Sequence, residues 1–417
     1  MDIMIIADDL TGANDTNVQF AKFGAKAVTC YNLKSMALYQ TFDVCSFSTE
    51  SRNFQPDKVY RTVASVIREL PFGPDRFFYK KIDSALRGYF GIEIDALMDQ
   101  MTAARALLIA PAYPDNYRTT INGCQFVKGV AVDQTEMAAD PVAPVRDSNL
   151  LTILGSQSRR KIGYLPLEQV ENGYGAVQTY LQYLMDDHCQ IIVADARTHE
   201  DLSILAQVIW NEKAVIPCGS AGLALAMAGI YQQRQSKDCK PSMVEMNPSP
   251  FLAVVGSKSE MSHLQVGAVQ REFPNLKLLP IDAADLVDPW ESETRIKKIA
   301  ALASEIVKTA PSLVLYLSSA MIYKSSDASL IASGLARICR GILEQTPVKT
   351  MFATGGDIAA HIFEELGIQA LEVEKELEPG ICKGKFLGGT YDGLSVITKA
   401  GSFGDELTLA RIVKNVR

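Results

Sequence analysis

The stretch "IIADDLTGANDTNVQFAKFGAK", residues 5–26, decides the fold class. Met4-Ile5-Ile6-Ala7 reads as a strand. Leu10-Thr11-Gly12 opens a helix marked by Ala13, Asn17, Phe20 and Phe23, and Gly24 stops it. Between the two elements stand Asp8 and Asp9. Adjacent carboxylates at a strand end repel each other and lose hydration if buried. The arrangement calls for open solvent or a cationic partner.

Strand and helix alternate outward from this unit. Strands are expected at Ile3–Ala7, Ala27–Tyr31, Val44–Ser48, Phe77–Lys81, Ala106–Ala110 and Gln190–Ala194. Residues 231–250, "YQQRQSKDCKPSMVEMNPSP", are polar, proline-bearing and without periodicity, as a linker would be. A second unit opens with "FLAVVGSKSEMSHLQVGAVQ" (251–270), and strands are expected at Phe251–Val255, Leu313–Leu317, Lys349–Ala353 and Leu394–Thr398. The pattern predicts two α/β domains with largely parallel sheets and an interdomain crevice: residues 1–235, a linker at 236–250, and residues 251–417.

Composition narrows the function classes. The chain has 417 residues, 47% hydrophobic and 21% charged, with a net charge of -7 spread along its length. A nucleic-acid partner would demand a concentrated basic face, so none is expected. No apolar run approaches the ~18 residues of a membrane span, and the N-terminus does not read as a signal peptide, so a cytoplasmic protein is expected. The eight cysteines contain no CxxC and the four histidines have no metal-ligand spacing. Buried reduced thiols are expected, and no transition-metal centre.

Charged residues gather where the expected strands end. Asp8-Asp9 follow the first strand, Arg52 lies beyond another in "STESRNF" (48–54), and "FFYKKIDSALRGYF" (77–90) places Lys80-Lys81, Asp83, Ser84 and Arg87 after a third. Ligands of parallel sheets bind outside the carboxyl ends of strands. A pocket with these groups suits a small molecule bearing a carboxylate and hydroxyls. Arginine and lysine would hold the carboxylate, and aspartates would accept from the hydroxyls. For Asp9 a plain helix cap is the alternative. The loop "IAPAYPDNYRTTINGCQFVKG" (109–129) either brings Arg118 to the same place or is an ordinary surface loop.

In the second unit, "KTMFATGGDIAAHIFEELGI" (349–368) runs a strand into Thr354-Gly355-Gly356-Asp357 and then a helix. Glycines here let backbone N–H groups approach an anion at a helix N-terminus. Asp357 would cap the helix or hold a hydrated Mg²⁺; a plain turn is the alternative reading. Ser257 and Gly401 lie at two further strand ends, and together the three favour a nucleotide pocket. A Walker loop is absent and no GxGxxG follows a strand.

Taken together, "IADDLTGANDT", "KKIDSALRG", "APAYPDNYRTTINGCQFV", "DPVAPVRDS", "GSAGLA", "ATGGDIAA" and "LEPGICKG…TKAGSFGDE" resemble the four-carbon acid sugar kinases, from residue 3 to about residue 408. The resemblance implies an N-terminal domain for the acid sugar, a C-terminal domain for ATP with Mg²⁺, and a 4-phosphorylated tetronate as product. Matched by motif, the substrate side falls on Asp9, Arg52, Lys81, Ile82, Asp83 and Ser84, and the nucleotide side on Ser257, Gly355, Gly356, Asp357, Ile358 and Gly401. Asp9 and Asp357 are the candidate catalytic carboxylates.

"ADDLTGANDT" is closer to the threonate kinases than to the oxo-tetronate branch. D-threonate is therefore the expected acid, with D-erythronate, L-threonate and an oxo-tetronate as alternatives. Two positions depart from the family pattern. Ala85 stands where threonine is common, and Tyr117-Arg118 where Gly-Arg is usual. The expected partners are small molecules, with a homodimer among the assemblies to test. A non-catalytic acid-sugar sensor is the reading from another class, while a dehydrogenase lacks its dinucleotide fingerprint.

Overall fold

The computed structural model describes residues 2–31, 41–70, 76–140, 143–235, 250–257, 259–288, 290–310, 312–318 and 327–416. The chain divides into two compact units, residues 1–241 and 242–417. Of the linker expected at 236–250, only Pro250 lies among the described residues, and residues 231–235, polar in sequence, instead close the helix Ala221–Gln235.

In the N-terminal unit the strands are β1 (Ile3–Ala7), β2 (Ala27–Cys30), β3 (Val44–Ser48), β4 (Phe77–Lys81), β5 (Ala106–Ala110), β6 (Arg118–Ile121), β7 (Cys124–Val127), β8 (Val130–Ala131), β9 (Ile162–Leu165), β10 (Ile191–Ala194) and β11 (Val215–Gly219). Eight of them form a parallel sheet in the order β2-β3-β1-β4-β11-β5-β10-β9. β1 lies between β3 and β4, with Ala7 beside Ser48 and Ile6 beside Lys80. The chain first builds outward through β2 and β3, then crosses β1 to β4. That reversal opens a switch point at the carboxyl ends of β1, β3 and β4. β6, β7 and β8 form a separate small antiparallel sheet.

In the C-terminal unit the strands are β12 (Phe251–Val255), β13 (Lys277–Ile281), β14 (Ser312–Leu317), β15 (Thr350–Thr354), β16 (Ala370–Glu378), β17 (Ile381–Leu387) and β18 (Ser395–Lys399). Their order is β13-β14-β12-β15-β18-β17-β16. The first five are parallel, and β17 and β16 run antiparallel at the end of that series. The switch point here lies at β12 and β15. The helix Thr408–Val416 buries Leu409, Ile412, Val413 and Val416 against Phe251, Phe352 and Ile397. Each such side chain contributes about 1.5–3 kcal/mol, enough to fix the loop that precedes the helix.

The α/β reading thus stands, and most expected strands agree within one residue at either end. Among the described residues, no helix is long and apolar enough to cross a membrane, and the described cysteines are free.

Candidate active site

Asp8 and Asp9 do find a cation. Arg52 grips Asp8 with both arms, Nε to Oδ2 at 2.6 Å and Nη2 to Oδ1 at 3.0 Å, and Nη2 also donates to Asp9 Oδ1 at 2.7 Å. Asp8 and Asp9 are buried, and Arg52 is nearly so. Burial pushes the Asp8 carboxyl up, but Arg52, with Lys81 and Lys80, outweighs it and holds the group below its ordinary value. For Arg52 burial is likewise outweighed, by Asp8, Asp9 and Asp83, so the guanidinium stays charged.

Asp9 is at the same time the N-cap of the helix Leu10–Lys22. Its Oδ1 accepts from the Gly12 N–H at 3.0 Å and its Oδ2 from Thr11 Oγ1 at 2.7 Å. The cap and ligand readings of Asp9 are therefore compatible. A Cβ on Gly12 would overlap Asp9 Oδ1 and lie 2.9 Å from Lys81 Nζ, so glycine alone leaves room for the lysine at this corner. Lys81 is buried, and its ammonium donates to the Ile82 carbonyl at 2.7 Å.

Asp83 and Ser84 complete the cluster. Asp83 pairs with Arg87 at 2.6 Å. Against the cost of burial, Arg87, Arg52 and Arg118 hold Asp83 well below the ordinary carboxylate value. Ser84 Oγ accepts from Arg118 Nη1, and the Ser84 carbonyl accepts from Gln125 Nε2 at 2.7 Å. Arg118 is only 4% exposed, so the loop left open in the sequence belongs to this site. Tyr117 before it stands in the left-handed region, φ 54°. That conformation favours glycine, the residue that the resemblance leads one to expect there.

Beneath the cluster, Lys80 meets Glu93 at 2.5 Å, and Ser51 Oγ donates to Glu93 at 2.8 Å. Glu93 was missed in the sequence because an acid in the first turn of the helix Phe90–Gln100 reads as surface.

In the C-terminal unit three strand ends converge. A Cβ on Gly355, itself at φ 100°, would lie 3.6 Å from Ser257 Cβ, and Gly355 N–H donates to the Lys399 carbonyl at 3.0 Å. A Cβ on Gly401 would overlap Ser257 Oγ and lie 3.0 Å from Ser257 Cβ. Gly356 starts the helix Gly356–Glu365, Asp357 stands exposed in its first turn, and Ile358 is buried beneath. Half-buried glycine backbone beside a serine hydroxyl and a helix N-terminus fits the phosphates of a nucleotide. The sequence also missed Ser259, whose Oγ donates to the Gly401 carbonyl at 2.7 Å.

Comparison with known proteins finds a family for each part of the chain. The model of the sugar-binding N-terminal domain matches residues 3–227, and that of the nucleotide-binding C-terminal domain matches residues 252–409. The chain is 32% identical over 425 residues to a D-erythronate kinase of Heliobacterium modesticaldum, covering 97% of this chain and 94% of that one. It is 32% identical over 426 residues to a D-threonate kinase of Salmonella typhimurium, covering 98% and 97%. A 3-oxo-tetronate kinase of Haemophilus influenzae is 26% identical over 420 residues, covering 96% and 97%. A crystal structure of a protein from Salmonella typhimurium LT2 has the same fold, with a TM-score of 0.81 at 22% identity over 100% of both chains. The chain belongs to the four-carbon acid sugar kinase family. It is an ATP-dependent kinase.

Proposed function

We propose that this kinase phosphorylates the 4-hydroxyl of a four-carbon sugar acid, with D-threonate as the preferred substrate and D-erythronate as its nearest competitor. The carrying observation is the Arg52–Asp8–Asp9 cluster beside Lys81, Ser84 and Arg118, where buried cations and acceptors alternate within hydrogen-bonding reach. Such alternation suits a molecule with a carboxylate at one end and hydroxyls along its length. Lys81 and Arg118 are the groups proposed to take the carboxylate, since Arg52 is directed to Asp8 and Asp9.

Asp9 is proposed to orient the attacking hydroxyl and accept its proton. Ser257, Gly355, Gly356, Ile358 and Gly401 are proposed to seat the nucleotide, and Asp357 to hold the water shell of Mg²⁺. ATP supplies the phosphoryl group. The protein's part in such a transfer is mostly positioning and charge neutralisation. ADP release measured across D- and L-threonate, both erythronates and the 3-oxo-tetronates tests the reading. Turnover fastest on an oxo acid, or on none of them, overturns it.

A further inference from the structure

One buried cation in the C-terminal unit has no part in that scheme. Lys399, at the end of β18, is fully buried, and its ammonium donates to three carbonyls of the turn that follows: Ala400 at 3.0 Å, Gly401 at 2.8 Å and Phe403 at 3.1 Å. The Gly401 carbonyl also accepts from Ser259 Oγ at 2.7 Å and Ser262 Oγ at 3.1 Å. Gln265 Nε2 donates to the Phe403 carbonyl at 3.2 Å. All three carbonyls are thus drawn to the inner side of the turn.

A trans peptide is planar, with its C=O and the next N–H pointing in opposite directions. Carbonyls 400, 401 and 403 turned toward the ammonium therefore turn the N–H groups of Gly401, Ser402 and Gly404 away from it. Gly401 and Ser402 are half-buried and Gly404 is exposed, so the turn is within reach of solvent. Consecutive outward N–H groups form an anion-binding concavity, and a cation behind the peptide planes polarises them into stronger donors.

We propose that Lys399 is a positioning residue that shapes the turn 400–404 into a seat for the nucleotide's phosphates, with the N–H groups of Gly401, Ser402 and Gly404 as donors. The proposal rests on the reading of this unit as the nucleotide site. It adds a residue that touches no ligand yet sets affinity through the backbone. Burial pulls the Lys399 ammonium down to about 7, and Glu378 of β16 pulls the other way. Glu378 is itself tied to Arg411 at 2.7 and 2.8 Å, and Arg411 also meets Asp405 at 2.9 Å. An anion seated across the turn favours the charged lysine, so nucleotide binding draws in a proton near and above neutral pH.

The test is calorimetry with ADP in buffers of different ionisation heat at about pH 8, above the value to which burial lowers Lys399. Wild-type protein is expected to take up a fraction of a proton on binding. Lys399→Met is expected to lose the uptake and to bind ADP about tenfold or more weakly, with the KM for the acid unchanged. Ser259→Ala/Ser262→Ala, which leaves the lysine in place, is expected to keep the uptake with a smaller loss of affinity; this variant carries the test if Lys399→Met does not fold. ADP binding without proton uptake, or at full strength in Lys399→Met, overturns the role of the lysine alone. Absence of ADP binding to the wild type overturns the nucleotide site itself, and the proposal with it.

Discussion

Lys80 and Glu93 face each other at 2.5 Å inside the N-terminal unit, with neither side chain more than 1% exposed. Lys80 also donates to the Lys81 carbonyl at 2.7 Å, and Glu93 accepts from Ser51. The pair therefore ties the end of β4 to the loop after β3 and to the helix Phe90–Gln100. Burial works against the Lys80 charge, but Glu93 and Asp8 more than offset it. Glu93→Gln leaves that ammonium without its counter-charge and should cost about 3–5 kcal/mol in urea unfolding. Lys80→Met/Glu93→Leu should recover most of the loss, because the charge is removed with its partner. A single variant as stable as wild type would mean that the charge is compensated elsewhere.

Asp9→Asn should lower kcat at saturating substrates by about 10²–10⁴-fold, the usual loss with a general base. Asparagine still caps the helix, so the protein should fold. Repulsion between Asp8 and Asp9 would have made the change stabilising, but Arg52 already bonds to both, and Lys81 and Lys80 add their charge at Asp8. A modest drop in Tm is expected instead. Near-normal kcat would leave Asp9 a cap alone.

Arg118→Ala should raise the KM for the acid and leave the KM for ATP unchanged. A buried charged donor to a carboxylate contributes about 2–5 kcal/mol where the pair is desolvated. Equal effects on both substrates would make Arg118 a support for Ser84 only.

Tyr117→Gly should stabilise the protein by about 1 kcal/mol, since a left-handed backbone costs a side chain roughly that much. Tyr117 is 69% exposed, so little packing is lost. The urea midpoint checks this, and a fall in stability would mean that the ring packs on its surroundings.

Asp83 and Asp8 set the acid limit. Both carboxyls lie below their ordinary value of 3.8 in the folded state. Their stabilisation is therefore fully present above that value and is lost as pH falls through the folded values. Tm should fall steeply below about pH 4, and Asp83→Asn should flatten that limb while lowering Tm at neutral pH. An unchanged acid limb in the variant would assign the transition to other carboxylates.

The parallel strands were legible where an apolar run ends in charge or glycine, as at β1, β4 and β12. β11 was not, because Pro217 interrupts its pattern, nor were the parallel β9 and β13, nor the antiparallel β16, whose "ALEVEKELE" carries four glutamates and a lysine. The same physics decided what could be read of the candidate site. Asp9, Arg52 and Ser84 stand beside strand ends and announce themselves. Glu93 and Lys399 are charges that only their unseen partners make tolerable inside a protein. Sequence alone reports a lysine's charge, not the three carbonyls that surround it.

The double duty of Asp9 Oδ1 has a spectroscopic consequence. One oxygen receives both the Gly12 amide and the Arg52 guanidinium, so the amide proton senses how strongly the arginine draws on that oxygen. Any ligand that competes for Arg52 or for Asp9 must alter the Gly12 hydrogen bond. Its ¹H chemical shift and its exchange with solvent deuterium are thus a built-in indicator of occupancy. A ¹⁵N-glycine-labelled sample could rank sugar acids by titration without any nucleotide present and without turnover.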